Sequence, residues 1–190
     1  MTTRGKNGIA VFLGGVVPPS EAEERMAEQV GGLLAAAGLS LLHGGYNGLM
    51  EDVARGAAAK GGIIAALTLA GKRAEWGEFN KHVTEATYLK TLGARLDHYF
   101  EHADVVVAMG GGVGTLHELA AALYYGGNIR PIPVWITGPT ALNLLSFLRQ
   151  EMWLFESPTR PLDFISEIPT ATDFASVLSR FLTGTDGGEA

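Results

Sequence analysis

Residues 104–126 read DVVVAMGGGVGTLHELAAALYYG: one acidic residue, an unbroken apolar run, a cluster of glycines and an amphipathic stretch. A short apolar run without polar alternation belongs to a strand covered on both faces. The spacing therefore predicts a strand over 104–109, a tight loop over 110–115 and a helix over 116–126. Strand, glycine loop and helix in that order make the crossover unit of a parallel sheet.

The same unit recurs along the chain. GIAVFL (8–13) reads as a strand closed by Gly14-Gly15, and Ser20 with Glu23 forms a capping-box pattern ahead of a helix reaching about Ala37, with Gly38 as its stop. A strand at 39–43 runs into Gly44-Gly45, followed by a helix over about 48–60 and an apolar run at 63–67. Residues 68–83 lack a period and read as a loop over one end of the sheet. An extended piece near 82–87, helices at 89–102, 140–150 and 172–182, and a strand at 132–136 complete the pattern. The expectation is one domain over 1–190, a Rossmann-like α/β fold: a doubly wound parallel sheet with helices on both faces. Residues 1–7 and 184–190 are expected to be flexible tails.

Composition narrows the function. Apolar residues at 47% and charged residues at 18% supply a core, and the 26 glycines have no collagen period. With no cysteine there is no disulfide, thiolate nucleophile or cysteine-based zinc site. A net charge of -6 offers no footprint for nucleic acid. The apolar run near the amino terminus is too short for a signal peptide, and no run reaches the roughly 20 residues of a membrane span. A small cytoplasmic protein acting on a small molecule is expected.

Ligands of such sheets bind where strand ends lead into helices. Three glycine loops occupy that edge: Gly14-Gly15, Gly44-Gly45-Tyr46-Asn47-Gly48 and Gly110–Gly114. Glycines allow close approach, free N–H groups point outward, and a helix N-terminus favours an anion. Gly111, Gly112, Gly114 and Thr115 are the candidate phosphate cradle, with Gly14, Gly15, Gly44 and Gly45 beside it. GGGVGT lacks the Gly-Lys-Ser/Thr ending of a Walker loop, and Thr115 stands where a dinucleotide loop has its third glycine. One phosphate is the economical ligand. Glu118, one turn into the helix, is either a general base and charge stabiliser or a carboxylate that complements the helix N-terminus. Arg95, near Leu92, Leu96 and Tyr99, is either a snorkelling surface cation or a phosphate or sugar ligand. His43 either reaches the ligand or is a capped core histidine. His117 points away from Glu118, and Asp97, His98 and His102 match no metal arrangement.

GGGVGTLHEL, with Arg95 23 positions before Glu118, resembles the Lonely Guy family of cytokinin-activating nucleoside 5′-monophosphate phosphoribohydrolases, often labelled lysine decarboxylases. That family's signature, Pro-Gly-Gly-x-Gly-Thr-x-x-Glu, is matched at Gly111, Gly112, Gly114, Thr115 and Glu118. GGYNGLMEDVARGAAAKGG resembles its other glycine loop, and family-like order runs from about residue 8 to 136. The resemblance implies hydrolysis of the N-glycosidic bond between a base and ribose 5-phosphate. Glu118 would stabilise the oxocarbenium-like centre and orient water, and Arg95 would hold the sugar or phosphate. No metal or organic cofactor is needed. A pyridoxal decarboxylase would need a Schiff-base lysine, and none of the five lysines adjoins the loop.

The chain departs from that pattern in four places. Gly110 replaces proline, Leu96 replaces a lysine after Arg95, the first loop reads Gly-Gly-Val-Val, and the second is shorter and continues Met-Glu-Asp. The last feature is closer to the superfamily's molybdenum-cofactor carriers. A non-catalytic nucleotide or cofactor carrier using the same cradle is thus the rival reading. Leu119, Leu123, Tyr124 and Tyr125 on one helix, and Leu92, Leu96, Tyr99 and Phe100 on another, exceed what one sheet contact consumes. They predict a homodimer, as the resemblance does, unless they pack under the sheet and the 68–83 loop.

Overall fold

The two most apolar runs of the chain pair at the centre of one seven-stranded sheet, and everything else is arranged around them. The computed structural model describes residues 8–16 and 20–184. In chain order the elements are β1 (Ile9–Leu13), α1 (Glu21–Ala36), β2 (Ser40–His43), α2 (Leu49–Ala58) and β3 (Ile64–Leu69). A 3-10 turn (Ala70–Lys72) leads to α3 (Arg73–Trp76), β4 (Glu85–Leu89), α4 (Leu92–His102), β5 (Val105–Ala108) and α5 (Val113–Asn128). The chain ends with β6 (Val134–Thr137), α6 (Pro139–Gln150), β7 (Ile165–Ile168) and α7 (Ala171–Thr183). Strand order is β4-β3-β2-β1-β5-β6-β7, and every pairing is parallel.

Alternation along each strand feeds two cores. Ala10 and Phe12 of β1, with Val105 and Val107 of β5, join Val30, Leu34, Leu49, Val53 and Phe174 from α1, α2 and α7. Val11 and Leu13, with Val106 and Ala108, join Tyr99, Phe100, Leu119 and Leu145 from α4, α5 and α6. Helices therefore cover both faces, and the expected doubly wound α/β architecture is found. Gly31 and Gly56, each costing about 1 kcal/mol of helix propensity, let α1 and α2 touch backbone to backbone. A Cβ on Gly31 would lie 1.9 Å from the Val53 carbonyl oxygen, and one on Gly56 1.8 Å from that of Glu28.

Several expectations need correction. α5 starts at Val113 rather than 116, because the glycine loop itself supplies the first turn. Residues 68–83 are not wholly irregular: they hold the end of β3, the 3-10 turn and α3. The extended piece near 82–87 is an edge strand, β4. β7 is an addition to the expected pattern, since ISEI alternates like an edge strand and has no unbroken apolar run. Ser20 does cap α1 by accepting from the Glu23 N–H at 3.3 Å. The Glu23 carboxylate, however, does not close a capping box. It is fully buried and accepts from the Thr140 N–H and hydroxyl, both at 3.1 Å, capping α6, whose own N-cap is Gly138. The expected tails, apart from Gly184, lie outside the described residues. No helix among the described residues is long and apolar enough to cross a membrane.

Candidate functional site

Strand order reverses direction between β1 and β5, so their following loops diverge and leave a crevice. A cleft of about 470 Å³ opens there, lined by Gly14, Gly15, Val16, Gly112, Gly114 and Thr115 and, further round, by Arg95, Glu118, Tyr46, Asn47, Met50 and Trp76.

The glycines of the cleft serve two different purposes. Gly15 donates its N–H to the Gly110 carbonyl at 2.9 Å and accepts from Leu49 at 3.0 Å, lacing the three loops together. A Cβ on Gly15 would lie 2.5 Å from Gly111 Cα, and one on Gly111 2.2 Å from Thr115 Oγ1. These two are close-approach glycines. Gly112 and Gly114 face open space, with nothing within 4 Å of where a Cβ would stand. Gly112 is the N-cap of α5 and makes no side-chain cap, and the first turn holds no acidic residue. The amides of that turn lack intrahelical acceptors and lie at the positive end of the helix dipole. An anion fits this surface.

Gly44 and Gly45 stand behind the cleft wall rather than in its lining. A Cβ on Gly44 would lie 2.8 Å from Met50 Sδ and 3.2 Å from Arg95 Nη2, so this glycine leaves room for both side chains. Gly45, at φ +88°, packs against Ala66 and Phe79.

Arg95 is not a snorkelling surface residue. Its Nη2 donates to Glu118 Oε1 at 2.7 Å and to the Tyr99 hydroxyl at 3.2 Å, and both charged side chains are only about a tenth exposed. α4 and α5 pack side by side, which brings together residues 23 apart in sequence. Burial pushes the Glu118 carboxyl above its usual range, while Arg95 and then His117 pull it down. Removing one member of such a pair would strand a charge in a low dielectric. Arg95 engages Oε1 alone, leaving Oε2 for water or a ligand. Thr115 and Glu118, three residues apart, share a helix face, so cradle and carboxylate present to one space.

His43 is wholly buried, and its Nδ1 accepts the Gly45 N–H at 2.9 Å. That fixes the proton on Nε2, which has no partner. Burial, with the Arg95 charge adding to it, lowers its pKa to about 3. The folded protein thus refuses a proton that the unfolded chain takes up near pH 6.5. Stability from this group is complete above pH 6.5 and falls on acidification toward pH 3, by about 1.4 kcal/mol per pH unit. Urea unfolding at pH 7.5, 5.5 and 4.5 should show this slope. His43→Asn, which keeps an acceptor for Gly45 without titrating, should flatten the slope by that amount. His117 is exposed, His98 and His102 stack with ring centroids 4.5 Å apart, and no group of three metal-ligating side chains occurs among the described residues.

Five lining residues are absent from the sequence candidates, the first being Val16, which directly follows the Gly14-Gly15 loop. Tyr46 and Asn47 lie inside the second glycine loop, and Met50 stands in the first turn of the following helix, so their place in or next to a candidate loop was a signal. Trp76 had none, since its segment has no period.

The family model described as LDcluster4, the SLOG cluster4 family, matches residues 7–141. A protein of Archaeoglobus fulgidus, described as an uncharacterized protein, is 31% identical over 156 residues, covering 79% of this chain and 91% of its own. Among solved structures, the molybdenum cofactor carrier protein of Chlamydomonas reinhardtii superposes with a TM-score of 0.70 at 21% identity, over 94% of this chain and 99% of that one. The molybdenum cofactor binding protein of Rippkaea orientalis gives 0.69 at 24% identity, over 95% and 99%. These two structures share the fold.

Proposed function

The chain belongs to the SLOG cluster4 family, and on that premise we propose that it hydrolyses the N-glycosidic bond of a nucleoside 5′-monophosphate, releasing a free base and ribose 5-phosphate. The observation that carries this reading is the buried Arg95–Glu118 pair one turn beyond an open helix N-terminus. The 5′-phosphate sits on the amides of Gly112–Thr115, with the Thr115 hydroxyl as a further donor. That placement brings the anomeric carbon to the Glu118 side of the cleft. The glycosidic bond breaks with its electron pair leaving on the base nitrogen, which is protonated from solvent. Glu118 stabilises the positive charge at C1′ and accepts a proton as water bonds there. Arg95 holds the carboxylate in place and adds a donor for the sugar. The chemistry uses water and this chain's own residues, with no metal or organic cofactor. The decisive experiment incubates the purified protein with a panel of nucleoside monophosphates and measures free base and ribose 5-phosphate together. Equimolar release supports the reading, and absence of release across the panel removes it.

A second reading, a carrier that binds a phosphate-bearing cofactor without turnover, is favoured by one observation: Glu118 Oε1 is already engaged by Arg95. The names of the two structural neighbours lie in the same direction. Tight binding without product in the same assay selects it.

The protein is further proposed to act as a homodimer, in the cytoplasm. Leu119, Leu123, Tyr99 and Phe100, read from sequence as excess surface, are in fact core residues. Tyr124 and Leu92 of the same expected set are exposed, and around a groove beside α5 Tyr124 is joined by the exposed Leu116, Trp153 and Phe155. A second copy would cover them. Light scattering is expected to give twice the 20.0 kDa of one chain, and Tyr124→Glu should return the monomer mass.

A further inference from the structure

We propose that Trp76 is the platform on which the ring of the ligand stacks, so that the site selects phosphate esters carrying a flat bicyclic heteroaromatic ring, such as purine nucleotides. This rests on the phosphate reading above and adds the other end of the ligand.

The cleft has two chemically distinct ends. The glycine cradle lies over β1 and β5, whereas Tyr46 follows β2 and Trp76 follows β3. Neighbouring strands are about 4.8 Å apart, so β5 and β3 are separated by about 14 Å along the sheet edge. In a nucleoside monophosphate the phosphate and base hang from opposite ends of the ribose. A ligand anchored on the cradle with its glycosidic bond at Glu118 therefore directs its ring toward the aromatic end.

That end is built and held. Tyr46 meets Trp76 edge to face, with centroids 5.8 Å apart at 88°, and meets Phe79 at 5.5 Å. Tyr46 is buried, and its hydroxyl is committed to Thr68 Oγ1 at 2.6 Å. Trp76, 40% exposed, lines the cleft with open surface. The crossover carrying it is tied to the second glycine loop by Asn80. Its side-chain amide donates to the carbonyls of Gly45 and Tyr46 at 3.1 and 2.9 Å, and its backbone N–H to Gly45 at 2.9 Å. An indole fixed this way loses little freedom on binding. Trp153 is more exposed, but it lines the separate groove beside α5.

The character of the recognition follows. Among the described residues at that end, the Asn47 amide and the Trp76 indole N–H are the side-chain groups left without a protein hydrogen-bond partner, so polar readout of the ring is sparse. Stacking needs only a π-face and grows with ring size, so it favours bicyclic over monocyclic rings and discriminates weakly among purines.

The test uses the carbocyclic analogue of adenosine 5′-monophosphate, in which a methylene replaces the ring oxygen and blocks glycosidic cleavage. Calorimetry compares it with the corresponding uridine analogue and with ribose 5-phosphate. Wild-type protein should bind the adenine analogue at least about tenfold more tightly than ribose 5-phosphate, with the uridine analogue between them. Trp76→Ala should remove that advantage and leave ribose 5-phosphate affinity within about twofold, and Trp76→Phe should restore most of it. The adenine analogue should also quench wild-type tryptophan emission and not that of Trp76→Phe, a readout independent of whether the alanine variant folds. Unchanged analogue affinity in the folded alanine variant, an equal loss for both ligands, or no difference in quenching overturns the stacking role. Wild-type protein that binds neither the adenine analogue nor ribose 5-phosphate overturns the phosphate reading, and this inference with it.

Discussion

Glu118→Gln is expected to lower turnover at least about 100-fold, corresponding to the loss of about 2.7 kcal/mol of transition-state stabilisation. Glutamine has nearly the same shape, and its Oε1 still accepts from Arg95 Nη2, the bond that spans 2.7 Å in the wild-type protein. It cannot carry the negative charge that the oxocarbenium-like centre requires, nor accept a proton from water. The effect should appear in kcat, with KM nearly unchanged, because the phosphate contacts are elsewhere. Stability should fall by an amount on the order of 1–3 kcal/mol, since the Arg95 charge loses its counterion in a site that is only about a tenth exposed. Folding must therefore be checked by circular dichroism before rates are compared. A pH profile adds an independent reading. Burial holds the Glu118 carboxyl above the usual carboxylate range, and the proposed hydrolysis needs its ionised form. The rate should fall on acidification at a higher pH than an exposed glutamate would give, and the glutamine variant should lose that limb. Wild-type turnover in Glu118→Gln would remove Glu118 from the chemistry.

What could be read from the sequence, and what could not, follows from how local each interaction is. The unit from Val105 to the end of α5 was legible because a doubly buried strand and the helix after it each write their environment into a few consecutive residues. The pairing of Arg95 with Glu118 was different. No physical rule makes a 23-residue separation meaningful. The two meet because α4 crosses back from the edge strand β4 to lie beside α5, and the sequence suggested the pair only through family resemblance. Glu23 was misassigned for a related reason. Its spacing from Ser20 fits a local cap, yet the deeper shortage of acceptors was at α6, 117 residues away. Trp76 and Tyr46 show the limit most clearly. Their contact depends on where the β3–β4 crossover folds back over the sheet, and nothing in an aperiodic stretch announces that. The glycines divide in the same way: that Gly112 faces space while Gly111 touches Thr115 is a fact of three-dimensional packing.

That division makes Gly112→Val the cleanest probe of the cradle. The residue has an extended backbone, φ -86° and ψ -162°, which valine adopts without strain, and no atom lies within 4 Å of its Cβ position. The fold should tolerate the substitution, with a melting temperature close to that of the wild type. The same change at Gly111 would collide with Thr115 and the Gly15 amide and would confuse folding with binding. At Gly112 the new side chain occupies the space above the first-turn amides of α5, where the proposed reading puts the phosphate. Each charge-assisted hydrogen bond lost there is worth about 1.5–3 kcal/mol, so losing two should weaken binding by more than about 100-fold. Removing the phosphate from the ligand instead of the cradle from the protein should have a matching effect: a nucleoside should bind wild-type protein about as poorly as its monophosphate binds Gly112→Val. The two losses should not add, because they delete the same contacts from opposite sides. Calorimetry with nucleoside and monophosphate on both proteins completes this cycle. If the variant binds the monophosphate as well as the wild type does, or if nucleoside and monophosphate bind the wild type alike, the phosphate is held somewhere other than on α5.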